Sequence, residues 1–153
     1  SVVRYPRGNG IGKTLPSTEE QIAIGKGVVI ATGQNIAILS FGTMLQEAII
    51  AAESLNATIV DMRFVKPLDQ PLINELTASH STIVTIEDNA IAGGAGSAVN
   101  EYILSQGLAV KILNIGIEDH FVKHGTQAEI HQELALDSTG ILAKVKSFLN
   151  NGD

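Results

Sequence analysis

Two arginines near the start, Arg4 and Arg7, flank Tyr5-Pro6 and run into Gly8-Asn9-Gly10. A guanidinium fork holds phosphate or carboxylate through two parallel hydrogen bonds. The pair is therefore a candidate anion clamp, and an ion pair to a neighbouring domain accounts for it equally. Further along, Glu87-Asp88-Asn89 ends a β-branched run. Paired carboxylates there could do acid–base work or hold Mg²⁺, and open α/β sheets place their sites at the carboxyl ends of strands. No third partner stands nearby in sequence, so helix capping or an interface role is the reading taken. Next comes Gly93-Gly94-Ala95-Gly96. Amides at a helix N-terminus can bind an anion, but a dinucleotide fingerprint needs a glycine at 99, where Val99 stands. The reading taken is a tight turn and close helix–sheet packing.

Other patterns fail on spacing. Gly12-Lys13-Thr14 imitates a phosphate-cradling loop, but that motif requires glycine where Arg7 stands. A linker is the expected role. His80, His120, His124 and His131 have no common metal-ligand spacing, and Gly125 after the 120/124 pair argues against a zinc helix. The chain has neither a cysteine nucleophile nor a Gly-x-Ser-x-Gly elbow.

The elements that would position these residues can be read from period and punctuation. Short apolar strands are expected at Val28–Ala31 and Ile36–Ser40, around a turn at Thr32–Asn35, and their short connection suggests one antiparallel strand. Thr43 and Gln46 have capping-box spacing ahead of a helix with Leu45, Ala48, Ile49, Ala52 and Leu55 on one face. A strand over Thr58–Met62 follows. Asp69 and Pro71 then open a helix carrying Leu72, Ile73 and Leu76. Thr82–Ile86 is a continuous β-branched strand suited to burial on both faces. A helix through Val99, Tyr102, Ile103 and Leu104 stops at Gly107, and Val110–Ile115 is the last strand. Two helices close the chain, one near Thr126–Leu134 with a Thr126/Glu129 capping box and one near Ser138–Asn150. Alternation of strand and helix implies an α/β three-layer sandwich: a five-stranded, mostly parallel sheet with one antiparallel strand and helices on both faces.

Composition narrows the function classes. The 153 residues suit one domain, with 44% hydrophobic and 17% charged side chains. A net charge of -6 argues against nucleic acid, which wants a basic stripe. The lack of cysteine excludes disulfides and thiolate metal sites and suits the cytoplasm. No apolar run is long enough for a membrane span, and no signal peptide is visible. The chain opens as if inside a strand, so a segment cut from a longer protein is expected, with Ser1 as a remnant of the cut.

The segments Arg4–Gly10, Leu39–Thr43, Val60–Asp69, Glu87–Glu101 and Leu113–Ile117 together resemble the 1-deoxy-D-xylulose 5-phosphate synthase family. The resemblance covers essentially the whole chain, and the 60–69 and 87–101 blocks are highly specific. It implies that residues 1–26 are the end of a pyrimidine-binding domain plus linker, and 27–153 a transketolase C-terminal-like domain. It also implies a thiamine-diphosphate- and Mg²⁺-dependent parent enzyme that condenses pyruvate with glyceraldehyde 3-phosphate, releasing CO₂, for isoprenoid, thiamine and pyridoxal synthesis. The activating glutamate, metal ligands and catalytic histidines of that family lie in its two amino-terminal domains. This chain is then expected to hold no catalytic, cofactor or metal residue. Arg7 matches the family position that holds the substrate phosphate, and Arg4 matches the same motif in support. The implied partners are the preceding domains and a second copy in a homodimer. Ala135 stands where the family often has glycine, and Ser138-Thr139 replaces a commoner small pair. A free-standing anion-binding or regulatory module, and the same domain of a transketolase or 2-oxoacid dehydrogenase, are the alternatives.

Overall fold

The computed structural model describes residues 1–3, 12 and 21–151. Strand β1 spans Val28–Ala31, β2 Ile36–Phe41, β3 Thr58–Asp61, β4 Thr82–Ala90 and β5 Lys111–Ile117. Helix α1 spans Leu45–Leu55, α2 Gln70–Ser79, α3 Ala95–Ser105, α4 Gln127–Glu133 and α5 Ser138–Asn150. The sheet order is β1-β3-β2-β4-β5, with β1 antiparallel to β3 and every other pair parallel. The expected antiparallel strand is thus β1. The short connection to β2 carries the chain past β3 rather than forming a two-stranded hairpin.

Side-chain alternation along the strands divides the core into two layers. Ile36, Ile38, Ile59, Val84, Ile86 and Ile115 face one way, toward Ala48 and Ala52 of α1 and Ile141 and Val145 of α5. Ala37, Leu39, Val60 and Ile83 face the other way, toward Ile73 and Leu76 of α2 and Val99 and Ile103 of α3. All six residues of β2 are buried, as a central parallel strand covered on both faces requires.

Helix ends follow the expected chemistry, with one exception. Asp69 caps α2 by accepting the Leu72 N–H at 3.3 Å, with proline in the first turn. Thr126 and Glu129 form the reciprocal capping box on α4. Hydrogen bonds from the Thr126 side chain and backbone hold the Glu129 carboxyl below its ordinary range. The Thr43/Gln46 box does not form. Residues Gly42–Met44 instead make a 3₁₀ turn, and α1 begins at Leu45 with no side-chain cap. Met44, wholly buried, draws the chain into that tighter turn, and exposed Thr43 is left without a capping role. Strands β4 and β5 also run past their expected ends. Ala90 pairs with Ile117 beyond a register shift after Ile86.

The carboxyl end of the sheet as candidate functional site

The parallel strands deliver Phe41, Asp61, Glu87 and the β5 terminus to one edge of the sheet, where the glycine-rich turn also lies. Glu87 is 3% exposed, yet its carboxylate is fully engaged. Oε2 accepts the Ala95 N–H at 2.7 Å and Oε1 accepts the Gly96 N–H at 2.8 Å. Those N–H groups are the orphan donors of the first turn of α3, and a negative charge suits the positive end of the helix. The N-cap residue Gly94 has no side chain to offer, so the neighbouring strand supplies the cap. The capping reading of Glu87-Asp88-Asn89 therefore holds, with Glu87 as the residue that does it.

The glycines are required by this contact. A Cβ on Gly94 would meet the Glu87 carboxylate, and one on Gly96 would sit 2.5 Å from Thr85 Oγ1 and 2.7 Å from Asn114 Nδ2. Gly93 adopts φ +73, which L side chains avoid. Beneath α3, Asn114 donates to Thr85 Oγ1 at 2.6 Å and exchanges hydrogen bonds with Asn100. Ser97 Oγ donates to the Ile91 carbonyl at 2.8 Å and accepts the Gly93 N–H at 3.0 Å, which closes the turn. This is the tight-turn, close-packing role expected of Gly93–Gly96.

None of the remaining candidates joins the Glu87 cap. Asp88 points toward α4, where its Oδ2 lies 3.6 Å from His131 Nε2. Asn89 is exposed. His80 sits at the opposite end of the sheet, with Nε2 2.8 Å from Thr58 Oγ1. His120 and His124 are exposed in the loop after β5. Among the described residues no group of three or more His, Asp or Glu is placed to hold a metal. No described helix is long and apolar enough to cross a membrane. Arg4 and Arg7, and Lys13-Thr14 of the loop mimic, lie outside the described residues.

Two features were invisible to sequence reasoning. Arg63 adopts φ 57 just past β3, its N–H donating to Asp61 Oδ1 at 3.1 Å. Asp69, beyond capping α2, also accepts the Gly27 N–H at 3.0 Å and pairs with Lys26 at 3.3 Å, which ties the start of β1 to α2. Only the aspartate's capping pattern was readable, because its other partners lie more than 40 residues away. The described residues do not suit the diphosphate that the parent family implies. The amides that could cradle it are taken by Glu87, whose buried carboxylate would repel a second anion.

Comparison with known proteins agrees with this fold. Residues 25–141 match the model of the transketolase C-terminal domain. The chain is 63% identical over 98% of its length to the 1-deoxy-D-xylulose-5-phosphate synthase of Colwellia psychrerythraea, of which it covers 25%. It is 55% identical over 97% of its length to the synthase of Pseudoalteromonas translucida, covering 24% of it, and 56% identical to that of Sodalis glossinidius, again covering 24%. Among solved structures, a split-gene transketolase described as an inactive beta4 tetramer superposes with a TM-score of 0.80 at 28% identity, over 90% of this chain and 46% of that one. The chain spans about a quarter of the length of the curated relatives it matches. It belongs to the transketolase C-terminal domain family, in the form carried by 1-deoxy-D-xylulose-5-phosphate synthases.

Proposed function

We propose that this chain is the carboxy-terminal domain of a thiamine-diphosphate- and Mg²⁺-dependent synthase that condenses pyruvate and glyceraldehyde 3-phosphate with loss of CO₂. Its own work is to pack against the preceding domains and support a homodimer. The observation that carries this reading is the match along nearly the whole chain to only a quarter of each synthase. The occupied amides of α3 support it, because they leave the one anion-binding candidate among the described residues already filled by Glu87. The cofactor and metal chemistry then belongs to the rest of the protein.

Turnover is the direct test. The 153-residue chain, given pyruvate, glyceraldehyde 3-phosphate, thiamine diphosphate and Mg²⁺, is expected to form no product, whereas the longer protein does. Product from the chain alone would overturn the reading. Calorimetry with thiamine diphosphate, ATP and NAD tests the rival of a free-standing anion-binding module. No binding tighter than roughly millimolar is expected. In the longer protein Arg7 is the proposed phosphate contact. Arg7→Ala is expected to raise KM for glyceraldehyde 3-phosphate far more than for pyruvate, at a cost of about 1.5–3 kcal/mol. Equal effects on both substrates would make Arg7 structural.

A further inference from the structure

Away from the glycine-rich turn, a cleft of about 270 Å³ opens between the end of β5 and the α4–α5 corner. Gly116, Glu118, His120, Glu133, Ala135 and Lys144 line it. Lys144 is half-buried, and its Nζ donates to the Leu134 carbonyl at 2.9 Å, an uncharged acceptor. No carboxylate oxygen of a described residue lies within 4.0 Å of that nitrogen, although Glu118 and Glu133 share the cleft. Burial pulls the ammonium's pKa below its ordinary value, and the charge of Glu118 only partly opposes this. Other described lysines differ. Lys26 is ion-paired with Asp69, and Lys66, Lys111, Lys123 and Lys146 are exposed.

We infer that Lys144 is the acylation site of this domain, taking a short acyl group from a neutral thioester that enters the cleft. A lysine activates as a nucleophile when desolvation favours its neutral amine. In the step, the Nζ lone pair attacks the thioester carbonyl and a C–N bond forms. The C–S bond breaks and its electron pair leaves with the thiolate. The surplus proton on nitrogen passes through solvent to that thiolate, so amide and free thiol are the products. The two glutamates set the reagent class, because they repel an anionic donor while leaving a neutral acyl group unhindered.

The test compares two lysines on one helix. The chain is treated at neutral pH with S-acetyl-N-acetylcysteamine, and acetylation is followed by peptide mass spectrometry. Lys144 is expected to react at least about threefold faster than Lys146, two residues on and exposed. The advantage is expected to vanish in concentrated urea. A Lys146 rate equal to or above that of Lys144 overturns the inference. So does an advantage that persists in urea, since it would then belong to local sequence and not to the cleft.

Discussion

Glu87 occupies the position that an anion would take at the N-terminus of α3, and the surrounding glycines are shaped to admit it. Replacing it should expose how much the domain relies on that contact. Glu87→Gln keeps the size but loses the charge and sets an NH₂ against a backbone N–H. The expected loss is about 1.5–3 kcal/mol in thermal or urea denaturation. An unchanged midpoint would mean that water or a shifted backbone satisfies the two amides equally well. Ala135 carries the opposite expectation. It turns the chain between α4 and α5 at φ 52, a left-handed conformation that costs an L residue about 1–2 kcal/mol. Glycine removes that strain but loses more chain entropy on folding, by about 0.5–1 kcal/mol. Ala135→Gly should therefore stabilise the chain modestly and raise its melting temperature. A lower melting temperature would show that the methyl group packs too well to give up.

At the scale of elements, Asp69 joins the N-terminus of α2 to the entry of β1. Its side chain is 4% exposed. Burial raises its carboxyl pKa, but the Gly27 and Leu72 N–H groups and Lys26 together outweigh this, and the net shift is downward. A depressed carboxylate stabilises the fold above its unfolded pKa, and that contribution is lost as pH falls through the folded value. Asp69→Asn should thus be less stable than the parent at neutral pH, with the gap narrowing as the medium is acidified below the ordinary carboxylate range. Urea titrations at pH 7 and pH 3 measure this, and a gap of constant size would refute the assignment. The α2 cap was legible in the sequence because Asp, then Pro, then a periodic apolar face is a local signal. The sheet was legible for the same reason, each strand being a short β-branched run between turns. What local pattern could not give was strand order. Nothing in Val28–Ala31 says that it pairs with β3 instead of β2. The Thr43/Gln46 spacing misled because burial of Met44 outweighs a single capping bond. At the site, the role of Glu87-Asp88-Asn89 was legible as capping, but the cleft around Lys144 was not, since α4, α5 and the end of β5 meet there only in the fold.

At the scale of the molecule, the exposed apolar side chains separate this domain's own stability from the part proposed for it in a longer protein. Phe121 is fully exposed in the loop after β5, and Ile24, ahead of β1, is 77% exposed. A side chain bathed in water contributes little to the fold that carries it, and its replacement typically shifts stability by within about 0.5 kcal/mol. The same ring docked against a preceding domain or a second copy would contribute about 1.5–3 kcal/mol through burial. Phe121→Ser should therefore leave the melting of the 153-residue chain almost unchanged. In the longer protein it should lower the melting temperature or weaken self-association, as sedimentation would report. The packing role proposed for this domain depends on that contrast. If the substitution is silent in both proteins, the loop faces solvent throughout and the docking surface lies elsewhere. If it destabilises both, Phe121 supports its own domain and says nothing about assembly. A loss confined to the longer protein would place the loop after β5 at the junction and identify the exposed apolar surface as contact area left open by isolation.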